Sequence, residues 1–238
     1  MSRPGRAADD LIRIFEGKIA AGELREGMPL PPEREIVQDY GVSRTVVREA
    51  VTAMANRGMI IARPRFRPVV APPSYESALD TLDGVVPRLL GQPGGVRNLF
   101  QTRILLESAL VREAAKSAGK ADLAALKDAL AANEAAIEDS EAFYQTDTAF
   151  HAVLYEISGN PVFPALHKAY TSWLGPHWSA MPRLPERNRA NYAAHKAIFD
   201  AILMRDPDAA EDALRRHLDA AWQQVRATFE ELQGQEAV

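Results

Sequence analysis

The chain contains no cysteine among its 238 residues, so disulfides and thiolate metal sites are excluded and a reducing cytoplasm is the expected compartment. Any metal must therefore be held by imidazole and carboxylate. No stretch approaches the ~20 apolar residues that cross a bilayer. The first ten residues are polar and charged, without the apolar segment of a secretion signal, so neither secretion nor membrane insertion is expected. A strong overall charge is also missing: the formal net charge is −4, which by itself argues against a polyanion partner. The charge is uneven, however. Residues 1–71 carry 12 Lys+Arg against 9 Asp+Glu, and the remainder carries 16 against 23, so nucleic-acid binding, if present, belongs to the N-terminal third.

Apolar residues make up 47% and charged residues 25%, the mixture of a folded globular chain, and the length suits two domains. Leu11, Ile12, Phe15 and Ile19 recur at helical spacing over residues 7–21, and Gly22 ends the run. Pro32 suits the first turn of a short helix over 33–40, where no N–H is needed. Gly41-Val42 makes a tight turn, and Ser43 is a good N-cap for a third helix over 44–57, with Val47, Val51 and Met54 facing inward. Strand-like runs at 59–62 and 69–71 flank the basic stretch Arg63-Pro64-Arg65-Phe66-Arg67-Pro68 and read as a two-stranded wing. Pro72-Pro73 marks a boundary. Beyond it strand signals are lacking, and helices are expected at about 75–90, 96–118, 121–138, 141–158, 162–181, 186–204 and 207–232, with breaks such as 182–185 between them. The expected fold is mainly α: a winged helix-turn-helix over residues 1–73 (three helices and a two-stranded wing) and an antiparallel helical bundle over residues 74–238.

A helix, a tight turn and a second helix opening with Ser43-Arg44-Thr45-Val46-Val47-Arg48 is the arrangement that major-groove reading requires. Arg44 and Arg48 lie one turn apart on one face, and a guanidinium pairs bidentately with guanine O6 and N7, so these two are the expected base readers. Ser43 and Thr45 suit phosphate, and Arg34 suits either. Two arginines on an arbitrary exposed helix are usually only solvated charge; the surrounding motif decides against that here. Leu30-Pro31-Pro32-Glu33-Arg34-Glu35 followed by Tyr40-Gly41-Val42-Ser43-Arg44-Thr45-Val46-Val47-Arg48-Glu49-Ala50 resembles the winged-helix signature of the GntR family of bacterial regulators. The wing departs from that pattern, because Arg67-Pro68 stands where the family carries a glycine and Pro68 has no N–H to offer. A backbone contact at the tip is therefore not expected, whereas Arg63, Arg65 and Arg67 remain candidates for phosphate or a narrow groove, or are plain solvated charge.

In the second half Asp147 and His151 are four residues apart, which puts a carboxylate and an imidazole on one helical face. His195 aligns with Ile198 and Ile202, and His217 with Leu214, Leu218 and Ala221, so both point from core-facing stripes. A lone histidine on such a stripe is usually a hydrogen-bonded core residue, but three of them with a carboxylate, on helices able to converge, form a candidate metal set. Such a set suits Zn²⁺ first, with Ni²⁺ or Mn²⁺ as alternatives. Arg103 shares a stripe with Leu99, Leu106 and Leu110; a buried guanidinium needs an anion, either an internal acid or a ligand carboxylate. Trp173, Trp178 and Tyr170 are candidates for the wall of a cavity or for ordinary core.

This half resembles the FCD effector domain of the FadR-type subgroup, in Arg103 with Glu107, Asp147-Thr148-Ala149-Phe150-His151, Ser158-Gly159-Asn160-Pro161, His195-Lys196-Ala197-Ile198 and His217-Leu218. The resemblance implies a divalent metal on Asp147, His151, His195 and His217, and an organic acid held by that metal with Arg103 and Asn160. Arg65-Phe66-Arg67, Val70-Ala71-Pro72 and Leu79-Asp80 look most like regulators of sugar-acid catabolism such as galactonate, which makes a hexonate or related hydroxy acid the leading effector.

The expected protein is thus a homodimeric repressor that reads the half-sites of a palindromic operator and is released by a small acid, the signal passing through Pro72-Pro73. Two rivals remain. A metal-dependent hydrolase of a sugar-acid lactone could use the histidine set to activate water, but no general base is placed by a motif and an enzyme leaves the N-terminal constellation unexplained. Alternatively the metal is purely structural and DNA binding is unregulated.

Overall fold

The computed structural model describes residues 4–179 and 184–236. The chain forms two compact units, Met1–Leu82 and Asp83–Val238. The N-terminal unit opens with α1 (Pro4–Ala20), α2 (Glu33–Tyr40) and α3 (Arg44–Asn56). Leu11, Ile12 and Phe15 of α1 pack with Ile36 of α2 and with Val46, Val47, Ala50 and Met54 of α3, all buried. Each such side chain taken fully from water contributes about 1.5–3 kcal/mol, so the stripe, more than helix propensity, holds the three helices. The turn between α2 and α3 depends on Gly41, whose φ of 63° is left-handed and carries no steric cost without a Cβ. Ser43 then caps α3: its Oγ accepts from the Val46 N–H at 3.3 Å.

The wing is an antiparallel pair, β1 (Ile60–Ile61) and β2 (Val69–Val70), in the register Ile60↔Val70 and Ile61↔Val69. Its other edge is not open. The Gly27 N–H donates to Val70 O at 2.9 Å, Val70 N–H to Met28 O at 2.9 Å and Leu30 N–H to Pro68 O at 2.8 Å, so the segment before α2 lines β2 like a third strand.

The single helix expected at 75–90 is instead two short ones, α4 (Tyr75–Asp80) and α5 (Val86–Leu90). Pro87 contributes to the break: it has no N–H to donate one turn back and is best accommodated in a first turn, where it stands in α5. The compact N-terminal unit runs through Leu82 and so includes α4, beyond the boundary expected at Pro72-Pro73.

The C-terminal unit continues with α6 (Gly95–Ser117), α7 (Lys120–Ala135), α8 (Ser140–Glu156), α9 (Val162–Ser179), α10 (Pro185–Leu203) and α11 (Pro207–Glu236), with no strand among the described residues. Helix α6 is a spine packed on α10 and α11, while α8 packs on α7 and α9. Phe100, Leu126, Phe150, Leu154, Leu174, Ile198, Ile202 and Leu214 form the core between them. Helix α9 continues past Pro176 to Ser179. The break expected at 182–185 lies largely outside the described residues.

Candidate functional site

The exposed face of α3 carries the first candidate surface. The side chains of Arg44 and Arg48 are 73% and 72% exposed, and both lean toward one carboxylate on α2: Arg48 Nε lies 3.1 Å and Arg44 Nε 3.9 Å from Glu33. Neither is tied inside the fold. Thr45 is exposed beside them, and so is Arg34, which has no side-chain partner among the described residues. Ser43 uses its oxygen as the cap of α3. The wing arginines divide. Arg65 is exposed at the tip, whereas Arg67 turns back: its Nε and Nη2 both donate to the Leu30 carbonyl, so its guanidinium braces the wing against the start of α2. Arg67 is thus tied down by a contact 37 residues away in sequence that no local pattern reveals.

The second site is buried in the bundle. Asp147 and His151 come from α8, His195 from α10 and His217 from α11, and one ligand atom of each lies within 4.8 Å of all the others. Outer partners fix the rings. His151 Nδ1 lies 2.8 Å from Glu107 Oε2, and a carboxylate only accepts, so the proton sits on Nδ1 and Nε2 is left with a lone pair. His195 Nδ1 lies 2.9 Å from Asn133 Oδ1, and the Asn133 amide NH₂ donates to Thr146 Oγ1 at 3.0 Å, which orients the amide and again leaves Nε2 free of its proton. Both Nε2 atoms face a third nitrogen, His217 Nε2, at 3.2 Å and 3.1 Å. One proton on His217 serves only one of these lone pairs. A cation serves all of them, and Asp147 Oδ1, 3.4 Å from His195 Nε2, adds a negative charge. Burial, reinforced by the neighbouring imidazoles, holds His195 and His217 well below the usual histidine range and keeps them neutral, the form that ligates. The residues present therefore fit a divalent metal.

Glu107 is the hinge of this arrangement. Burial would raise its carboxyl, but Arg103 and His151 outweigh that and hold it below the usual carboxylate range. Its Oε1 accepts from Arg103 Nε at 2.6 Å and from the Tyr155 hydroxyl at 3.0 Å, while Oε2 takes His151. Arg103 thus has an internal acid, and it also lines a cavity of about 280 Å³ bounded by Asp147, His151 and His217. That volume is near the lower end of the ~300–1,000 Å³ typical of small-molecule pockets.

Sequence reasoning missed a second cavity arginine, Arg187, which is half-buried with its pKa lowered by that burial. The signal was available: Arg187, Asn191 and His195 recur every four residues and share one face of α10. Trp178 is on the cavity wall, whereas Trp173 donates to Asp83 Oδ1 and packs with Tyr170 away from it. Asn160, expected to touch the effector, does not line the cavity; it is exposed, and its Oδ1 accepts from the Val162 N–H at the start of α9. His167 is buried against Tyr155, outside the ligand set.

Comparison with known proteins agrees with this division. Residues 8–70 match the bacterial regulatory proteins of the gntR family, and residues 98–220 match the FCD domain. The chain is 40% identical over 214 residues to the HTH-type transcriptional repressor NanR of Cronobacter sakazakii, covering 88% of this chain and 82% of the relative. It is 38% identical over 223 residues to NanR of Salmonella typhimurium, covering 92% and 82%. Among solved structures it superposes on a Streptococcus agalactiae GntR protein with a TM-score of 0.59 at 24% identity, covering 94% of this chain and all of that one. Escherichia coli McbR/YncC gives 0.53 at 17%, covering 96% and 98%; both likenesses concern the fold. No helix among the described residues is long and apolar enough to cross a membrane. The relatives are regulators, which sets the hydrolase reading aside, and the protein belongs to the GntR family of DNA-binding transcription regulators, in the branch that carries an FCD domain.

Proposed function

We propose that the protein is a homodimeric repressor of a palindromic operator, released when a small carboxylate, with sugar acids as the leading class, enters the cavity beside the histidine cluster. The name of its relatives supports repression. The observation that carries the effector reading is the cavity wall, where two guanidiniums, Arg103 and Arg187, stand beside a set of converging imidazoles. Arg103 gives Glu107 only its Nε, which leaves its terminal nitrogens for a second anion, and Arg187 has no acid hydrogen-bonded to it among the described residues.

Asp147, His151, His195 and His217 would hold a divalent cation, with Zn²⁺ first and Ni²⁺ or Mn²⁺ as alternatives. A cation there supplies positive charge to an oxygen of the acid. The chain supplies the rest. Arg103 and Arg187 bind the carboxylate, Asn191 presents an amide to hydroxyls, and Trp178 and Phe143 restrict water. In the N-terminal unit Arg44 and Arg48 read base edges, with Arg34, Thr45 and Arg65 on the backbone. One recognition helix touches few base pairs, so two copies on paired half-sites supply the selectivity. The acid shifts DNA affinity only by binding the two arrangements of the dimer unequally, and the segment after Leu82 that joins the two units is the connection that carries the difference.

The test is a thermal-shift screen of hexonates and other hydroxy acids against metal-loaded and chelator-treated protein, followed by operator mobility shifts with each hit. An acid that stabilises only the metal-loaded protein and releases DNA is the expected result. Stabilisation by metal alone, with no acid altering DNA affinity, would make the metal purely structural and overturn the reading.

A further inference from the structure

The tip of the wing has a composition and shape that binding by the recognition helix does not require. Phe66 is 74% exposed, standing out at the turn that joins β1 to β2. The turn closes by a bond from the Phe66 N–H to Arg63 O at 3.1 Å, and Arg65 within it has a φ of 68°. A non-glycine residue held left-handed costs about 1–2 kcal/mol, a cost glycine avoids. The turn leaves the Phe66 ring in solvent. Arg63 and Arg65, both just before the ring in sequence, are exposed and without side-chain partners among the described residues. Arg67 is the exception, since its guanidinium is fixed on the Leu30 carbonyl. With residues 27–30 lining β2, the tip stands on a rigid base. A single exposed apolar side chain is ordinary; one on a strained, braced tip next to two free cations is not.

We infer that Phe66 is a wedge that enters the minor groove of the operator beside the helix-reading site and partly unstacks one base step, with Arg63 and Arg65 holding the flanking phosphates and Arg67 acting as the brace that keeps the tip rigid. An aromatic or aliphatic side chain inserted from the minor groove bends the duplex and lets it meet more of the protein, at a cost set by how easily that step unstacks. The tip thus reads deformability where α3 reads base edges. A flexible pyrimidine–purine step is the expected target.

The experiment uses the full chain and a duplex enriched from a random pool by the parent protein. Hydroxyl-radical footprinting locates the minor-groove contact, and 2-aminopurine placed at that step reports unstacking by a rise in fluorescence. The parent should produce the rise. Phe66→Ala should abolish it and weaken binding about tenfold, while leaving the dependence of affinity on salt unchanged, because an apolar wedge releases no counterions. Arg63→Ala and Arg65→Ala should each lower that salt slope by about one. Phe66→Leu should keep most of the affinity. Thermal unfolding of Phe66→Ala checks that the exposed substitution leaves folding intact. Full affinity and unchanged footprint for Phe66→Ala would overturn the inference, as would a loss accompanied by a reduced salt slope, or a loss of self-association without any change on DNA.

Discussion

Each half of the molecule contains an arginine–glutamate pair, and the two pairs are chemically alike but opposite in setting. Arg48 and Glu33 meet at 3.1 Å with side chains 72% and 35% exposed; Arg103 and Glu107 meet at 2.6 Å with side chains 8% and 0% exposed. In water the first pair is worth about 0–1 kcal/mol, so a guanine edge or a phosphate displaces Glu33 with little resistance. In the bundle, removing one partner strands the other as a buried charge, at about 3–5 kcal/mol. The recognition helix therefore keeps Arg44 and Arg48 exchangeable, as a surface that must meet many sequences requires. The cavity of the C-terminal unit fixes Arg103, as a small preformed site requires.

The largest effect expected from this contrast is on folding. Glu107→Ala should destabilise the C-terminal unit by about 3–5 kcal/mol in urea unfolding, since it leaves both Arg103 and His151 without their acceptor, whereas Glu33→Ala should change stability by no more than about 1 kcal/mol. Equal effects would erase the distinction. Next, Arg44→Ala or Arg48→Ala should each cost about 1–3 kcal/mol of operator affinity, measured by fluorescence anisotropy, while leaving the thermal stability of the bundle unchanged. Asn133→Ala frees the His195 ring, so zinc affinity measured against a competing chelator should fall about 10- to 100-fold.

The smallest effect separates the halves by acidity. All five histidines lie beyond residue 150, so the N-terminal unit has none. Burial first, then the nearby His151, lowers the His167 pKa to about 4 from 6.5. Between those values the unfolded chain binds more protons than the folded one, so the stability held above the unfolded pKa drains away as pH falls toward the folded one. Urea midpoints of the C-terminal unit at pH 7.5 and pH 5 should therefore differ, and the gap should narrow in His167→Phe. A gap of the same size in both proteins would remove His167 as its source.

What was legible in the sequence follows the range of the interactions. Gly41, the Ser43 cap and the face shared by Arg44 and Arg48 are settled within a few residues, and the structure places them as local chemistry predicts. The Asp147–His151 spacing was legible for the same reason, and the apolar stripes carrying His195 and His217 showed that they face the core where they meet. Contacts made across the fold were not. Arg67 looked like wing charge until its bond to Leu30 appeared, and Asn160 looked like a ligand contact although it holds the start of α9. Pro87 is a local signal that outweighs the helix periodicity of 75–90 and favours a fresh start at α5. Arg187 belonged to a visible face of α10, but nothing in the sequence said that this face meets Arg103 across a cavity.

The central claim is that an acid in the C-terminal cavity governs DNA binding by the N-terminal unit. It is tested most directly by anisotropy of a labelled operator duplex, titrated with the acid that best stabilises the metal-loaded protein, in the parent and in Arg187→Ala. The account predicts that the acid weakens operator binding at least about tenfold in the parent, a coupling of ~1.4 kcal/mol, and much less in the variant at the same concentration. Equal release in both proteins, or no release in the parent, would contradict it.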